Sequence, residues 1–207
     1  MSDISGYKFD DALLNASHDY LLPGVLDVLQ KTSATVRERS LFDLGCGNGS
    51  VTNVIAGLGF RVAGVDPSVE GVAHATGNYP HLDIRAGSAN DDLRERFGTF
   101  SYVLSLEVVE HLYSPKIFAA NVYNLLDDGG YAIISTPYHG YLKNLALAAT
   151  NSFDRHFTAM WDHGHIKFWS IDTLTQLLKG AGFQSVQFRR LGRIPPLAKS
   201  MMAIARK

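Results

Sequence analysis

The chain has 207 residues, 46% of them hydrophobic, and a net charge of −1 with histidine neutral. That length suits one domain with a sizeable core, and that composition excludes a disordered chain. The charge balance lacks the basic excess of a nucleic-acid binder, no apolar run approaches a membrane span, and a lone cysteine, Cys46, excludes an internal disulfide.

The opening "MSDISGYKFDDALL" carries acids and no apolar h-region, so a signal peptide is not expected and a cytoplasmic location is. Residues 1–39 read as a helical preface: "HDYLLPGVLDVLQK" has apolar residues at helical spacing, with Pro23 near a helix start. "SLFDLG" is then a short strand, "SVTNVIAGL" a helix with Ser50 as candidate cap, "FRVAGVD" a buried strand, "SVEGVAHAT" a helix and "LDIRAG" a third strand. "FSYVLSL" is a fourth strand, and "SPKIFAANVYNLL" opens with the Ser-Pro signature of a helix start. "DDGG" turns the chain into the fifth strand, "YAIIST". "SIDTLTQLLKGAG" is a helix with a serine cap and glycines at its end. "QSVQFRRLG" and "KSMMAIARK" are the last two strands, and "GRIPP" between them is too short for a crossover, so they form a hairpin.

Strands alternating with helices predict an α/β fold: a doubly wound, Rossmann-like sheet of seven strands, mostly parallel, with an antiparallel C-terminal hairpin, in a single domain over residues 1–207. In such sheets ligands bind beyond the carboxyl ends of the strands, at the point where strand order reverses. The residues that follow the strands are therefore the candidate site.

"DLGCGNG", Asp43 to Gly49, places glycines at 45, 47 and 49, where the backbone can turn sharply and approach a ligand. The spacing is GxGxG rather than the GxGxxG of a dinucleotide site. Asp43 would repel a pyrophosphate and would suit a ligand carrying an ammonium and a sulfonium. Asp66 ends the second strand in "GVDPS", where a carboxylate can accept bonds from both hydroxyls of a ribose. Each feature alone is compatible with strand–helix packing or a helix cap; together they point to a nucleoside site.

These residues resemble the class I S-adenosylmethionine-dependent methyltransferases. "LFDLGCGNGS" is similar to their first motif, "GVDPS" to the end of their second strand, and "LLDDGGYAIISTP" to their fifth-strand region. The resemblance implies S-adenosyl-L-methionine as cofactor. It implies that Asp43, Gly45, Cys46, Gly47, Asn48 and Gly49 cradle the methionine part and that Asp66 and Pro67 hold the ribose. Ser88 and Ala89 would face adenine, and Leu106 and Glu107 would line the pocket. Where the family often has "GDA", this chain has Gly87-Ser88-Ala89, so Asn90, Asp91 or the backbone near Ala89 is the candidate substitute for the missing carboxylate. Cys46 reads as a small packing residue, since no base is near it in sequence.

"SLEVVEHL" puts Glu107, Glu110 and His111 after the fourth strand. On one helical turn they would share a face. Two carboxylates and an imidazole can bind a divalent cation, line the cofactor pocket, or aim His111 at a substrate hydroxyl. The stretch is similar to the E-x-x-E-H of the ubiquinone-biosynthesis O-methyltransferases, where it is associated with a divalent cation near a catechol-type substrate. That resemblance implies Glu107, Glu110 and His111 as metal ligands.

Residues 138–169 make a long, aromatic connection that reads as a cover over a substrate pocket. It holds both tryptophans, His139, His156, His163 and His165, and "YLKNLALAAT", which reads as an amphipathic helix with no basic face for a membrane. Candidate general bases are His165, His111 and His163, with His165 favoured because "GHIKFWS" resembles a pocket-entering segment of the ubiquinone-pathway enzymes. The expected function is O-methylation of a small hydroxylated, aromatic acceptor. The alternatives are N- or C-methylation of another small metabolite, or a nicotinamide-dependent oxidoreductase, which the glycine spacing, Asp43 and the terminal hairpin disfavour.

Overall fold

The computed structural model describes residues 8–162 and 164–207. Seven strands form one sheet: β1 (Ser40–Leu44), β2 (Arg61–Asp66), β3 (Asp83–Ala86), β4 (Phe100–Leu106), β5 (Leu126–Pro137), β6 (Ser185–Leu191) and β7 (Ser200–Arg206). Their order across the sheet is β3-β2-β1-β4-β5-β7-β6. The pairs from β3 to β5 are parallel, and β7 runs antiparallel to both β5 and β6. The seven strands, the doubly wound order and the terminal hairpin are those expected from sequence. The order reverses between β1 and β4, so the loops after those two strands face one crevice.

The central strands are buried on both faces because helices cover both. All five residues of β1 are buried, as are the first six of β4. On one side pack α5 (Pro115–Leu125) and α8 (Ile171–Gly180). Proline at the first turn starts α5, and Phe118, Ala119, Val122 and Leu125 fall on its inner stripe. Ser170 and Thr173 form a reciprocal capping box at the head of α8, whose Leu174 and Leu178 are buried. On the other side pack α1 (His18–Thr32), through Val25, Val28 and Leu29, and α2 (Ser50–Gly57), through Val51 and Ile55. Helices α3 (Val69–Asn78) and the short α4 (Leu93–Phe97) flank β3.

Several local expectations shift. The preface is helical only over α1, which starts a turn before Pro23; residues 8–17 have neither helix nor strand. Ser50 is not a cap: Gly49, in the left-handed conformation at φ 75°, occupies that position and Ser50 is already helical. "DDGG" does not end an element, because β5 begins at Leu126 and its register slips between the pairs Phe100–Leu126 and Tyr102–Tyr131. Gly129, at φ 79°, lets the strand bulge there and continue. "YLKNLALAAT" does form a helix, α6 (Tyr141–Ala149), followed by α7 (Phe153–Phe157), but α6 buries none of its residues. No helix among the described residues is long and apolar enough to cross a membrane.

Candidate active site

A cavity of about 490 Å³ opens at the switch point between β1 and β4. Its wall includes Asp43, Gly45, Cys46, Gly47 and Asn48 from the loop after β1, and Asp66 and Pro67 from the end of β2. Ser88, Ala89 and Asn90 follow β3, and Leu106, Glu107 and His111 follow β4. Gly49 is the one residue of the expected cofactor set that is not on this wall; it turns the loop into α2 instead.

The loop is held from both sides. The amides of Gly45 and Cys46 donate to the Val65 carbonyl at 2.9 and 3.1 Å, and that of Gly47 donates to Asp66 Oδ2 at 2.8 Å. Ser68 donates its amide to Asp66 Oδ1 at 2.8 Å, so the carboxylate plane is fixed by backbone. Gly45 sits at φ 89° with Val108 directly against the place a Cβ would take. Only glycine meets both conditions there.

Asp43 is buried under this loop and accepts from Thr52 Oγ1 at 2.6 Å. Burial pushes its carboxyl up to about 7, the Thr52 bond opposes the rise, and the charge of Asp66 adds to it. A buried carboxyl with no basic side chain bonded to it among the described residues suits a cationic ligand group, which would restore its ionised form. Burial, then the charges of Asp43 and Asp66, push the Cys46 thiol well above its usual range. A thiol held protonated is a poor nucleophile, which fits a packing role. Asp91 turns into its own loop, accepting from the Ser88 amide at 2.9 Å, while Asn90 faces the cavity.

After β4 the geometry departs from the expected helical face. Glu107 is left-handed, at φ 56°, and only Val109–His111 form a 3₁₀ turn. Strain of this kind in a non-glycine residue costs on the order of 1 kcal/mol and marks functional sites. Its amide and carboxyl both engage Ser135: the amide donates to the Ser135 carbonyl at 3.1 Å, and Ser135 Oγ donates to Glu107 Oε1 at 2.8 Å. Burial raises the Glu107 carboxyl to about 7 against the hydroxyls of Ser135 and Ser200 and the charge of Lys143.

Glu107 is thus engaged by Ser135, whereas the triad read from sequence joins it to Glu110 and His111. Among the described residues, the cluster whose ligand atoms lie within 4.8 Å of one another is Glu110, His111 and His165. Glu110 is 1% exposed; Thr136 Oγ1 donates to its Oε2 at 3.0 Å, and its buried Oε1 has no hydrogen-bond partner among the described residues. Burial, then the charge of Glu107, push this carboxyl well above its usual range. His165 Nε2 stands 4.0 Å from Glu110 Oε1, and burial lowers its imidazole to about 4, helped by His111, His139 and His156. A neutral acid beside a neutral imidazole at that distance is not an ion pair, and 4.0 Å is too long for a hydrogen bond. A buried carboxyl oxygen with two imidazole nitrogens within 4.8 Å is a donor set that fits a divalent cation.

The connection 138–169 reaches this cluster by backbone. The Glu110 carbonyl accepts the amides of Ile166 and Lys167, both at 2.9 Å, and His111 Nδ1 donates to the Gly164 carbonyl at 3.2 Å. These bonds set His165 edge-on to His111, ring centres 4.9 Å apart. Trp161 meets both rings edge-on or tilted and is the only described residue of the connection on the cavity wall. His139 and His156 pack instead among Phe157 and Phe168. Trp169 is buried and donates to the Val109 carbonyl at 3.3 Å. His163 lies outside the described residues.

The model of a methyltransferase domain family matches residues 17–187. The chain belongs to this methyltransferase family. A probable S-adenosylmethionine-dependent methyltransferase of Mycolicibacterium smegmatis is 29% identical over 157 residues, 76% of this chain and 56% of that protein. A ubiquinone biosynthesis O-methyltransferase of a Caulobacter species is 38% identical over 112 residues, 52% of this chain and 44% of that protein. This methyltransferase domain thus spans about half the length of the curated relatives it matches. Among solved structures, an O-methyltransferase family protein from Burkholderia thailandensis matches with a TM-score of 0.68 at 15% identity, over 90% of this chain and 56% of that one. At that identity the likeness is one of fold. The cavity wall of the methyltransferase includes residues that sequence motifs did not flag: Phe9, Asn15, Ala16, Ser17 and His18 ahead of the sheet, and Val108, Leu112 and Tyr113 after β4. The first group lies in no motif and only the irregular chain path brings it to the site, while Val108 and Leu112 sit inside "SLEVVEHL" without having been singled out.

Proposed function

We propose that this methyltransferase moves the methyl group of S-adenosylmethionine to the oxygen of a small hydroxylated, aromatic acceptor. The observation that carries the reading is the position of His111: it lines the cofactor cavity and belongs to the buried Glu110–His111–His165 cluster. Asp43 and the glycine loop would take the methionine end of the cofactor, Asp66 the ribose, and the Ser88–Asn90 loop the adenine. The carboxyl of Asp43 and the absence of a phosphate-spaced glycine loop favour this cofactor over a nicotinamide.

Transfer needs an acceptor oxygen aligned behind the sulfonium methyl group, water kept out, and a proton taken from the hydroxyl. Trp161 and Leu112 supply an apolar wall for a flat acceptor. Burial keeps the His165 imidazole neutral near pH 7, so its lone pair is open to a cation or, with no cation bound, to the acceptor proton. Glu110, His111 and His165 would hold a divalent cation, which when bound supplies Lewis acidity to the acceptor hydroxyl.

N-methylation is a second reading, favoured by Glu107. Its half-buried carboxyl is on the cavity wall, and a protonated amine would pair with it. Methyl transfer from labelled S-adenosylmethionine to a panel of catechols and a panel of amines separates the two. Turnover confined to catechols supports oxygen transfer; turnover confined to amines overturns it.

A further inference from the structure

Ahead of α1, residues 9–14 cross the outside of the cofactor loop. The ring of Phe9 covers Gly47 so closely that a Cβ on that glycine would stand 2.6 Å from it, and it also packs on Gly71 at the head of α3. Asn48 Nδ2 donates to the carbonyls of Asp11 and Leu13, both at 2.9 Å. Tyr79, just past α3, donates its hydroxyl to the Ala12 carbonyl at 2.5 Å. Ala12 is buried, whereas Leu13 and Leu14 are exposed.

The two ends of this segment differ. At its C-terminal end Asn15 Oδ1 accepts from the Ser17 amide at 2.9 Å, the Ser17 hydroxyl at 2.6 Å and the His18 amide at 3.2 Å. That knot joins α1, which is anchored in the core by Leu21, Val25, Val28 and Leu29. Over residues 9–14 there is no helix or strand to hold the chain, and its attachments to the loop and α3 described above are side-chain contacts of Phe9, Asn48 and Tyr79. Segments held so sparsely open at a small fraction of the global unfolding cost. Phe9 is on the cavity wall beside Asn15, Ala16, Ser17 and His18, so the wall loses the Phe9 ring whenever residues 9–14 lift.

We propose that residues 9–14 are a strap, hinged at Asn15–His18 and latched by Asn48 and Tyr79, that opens to admit and release the cofactor and closes to complete its site. The inference rests on the reading that this cavity binds S-adenosylmethionine. The latch couples strap to cofactor through Asn48, which sits in the glycine loop itself: a ligand that orders the loop also orders the strap. Product release would then be set by strap opening, as in many enzymes with mobile covers.

S-adenosylhomocysteine dissociation from the full chain, followed by stopped-flow displacement, is the test. Tyr79 is off the cavity wall, so Tyr79→Phe removes one latch bond and leaves the cofactor contacts in place. The expected result is release roughly five-fold faster than wild type. Phe9→Ala is a second, independent release of the strap and should speed dissociation by at least as much. In parallel, trypsin cleavage after Lys8 should slow when S-adenosylhomocysteine is bound and quicken in Tyr79→Phe. Binding with dissociation rates within two-fold of wild type in both variants, or cleavage indifferent to ligand, overturns the strap alone. Failure of wild type to bind S-adenosylhomocysteine overturns the cofactor reading and the strap with it.

Discussion

His111 points its Nδ1 at the carbonyl oxygen of Gly164, 3.2 Å away. A carbonyl only accepts, so Nδ1 carries the hydrogen and, in the neutral ring, Nε2 carries the lone pair. One backbone contact therefore fixes both the orientation and the tautomer of a side chain on the cofactor cavity. His111→Gln and His165→Gln should each lower kcat for the methyl acceptor by about 10²- to 10⁴-fold, the usual worth of a positioned proton acceptor. The dissociation constant for S-adenosylhomocysteine should stay within about three-fold of wild type, since both rings belong to the acceptor side in the proposed arrangement. Single-turnover kinetics with titration calorimetry check both numbers; loss of cofactor binding instead of turnover would reassign the two rings.

The contribution of Asp43 to stability should fall with rising pH. Its folded carboxyl holds a proton up to about 7, while the unfolded one releases it near the ordinary 3.8. Between those values the folded state binds more protons than the unfolded state, so each rise in pH favours unfolding, by at most about 1.4 kcal/mol per unit. Above 7 the effect is constant. Urea unfolding at pH 5 and pH 7 should show wild type losing stability relative to Asp43→Asn, which has no such group. Cofactor binding runs the other way: an ammonium group needs the ionised form, so S-adenosylhomocysteine affinity should rise with pH up to about 7 and flatten in the variant.

The sheet was legible in the sequence because its signals are local. Apolar runs ending in glycine or aspartate gave the strands, Pro115 and Ser170 gave helix starts, and three glycines gave the cofactor loop. What escaped was set by single dihedrals and by distant backbone bonds. Whether Glu107 shares a face with Glu110 depends on one φ angle, and its value of 56° sends the carboxyl to Ser135 instead. His165 was named from sequence, but its place beside His111 depends on bonds between segments more than fifty residues apart. The strap residues have no periodicity at all, and nothing in "FDDALLNAS" distinguishes a cavity wall from an exposed loop.

Gly45 separates steric from conformational demands. An alanine there meets Val108 and must also hold φ 89°. Gly45→Ala should cost at least about 2 kcal/mol of stability, combining overpacking with left-handed strain. Gly45→Ala with Val108→Ala should recover the overpacking part and keep the strain of about 1 kcal/mol, measured by chemical unfolding. Full recovery in the double variant would mean that the backbone conformation is not a constraint at this position.

The metal question reduces to which third ligand joins Glu110 and His111. The sequence pattern offers Glu107, and the folded chain offers His165, because Glu107 is committed to Ser135 while Glu110 Oε1 lies buried, 4.0 Å from His165 Nε2 and without a hydrogen-bond partner among the described residues. Mn²⁺ binding, followed by calorimetry or electron paramagnetic resonance without cofactor, should be weakened at least ten-fold in Glu110→Gln and His165→Gln, and should change less than three-fold in Glu107→Gln. Binding lost in Glu107→Gln and kept in His165→Gln would return the site to the triad read from sequence. Chelation should lower turnover on a catechol and leave S-adenosylhomocysteine affinity unchanged, because none of the three ligands is in the set that would hold the methionine, ribose or adenine parts of the cofactor.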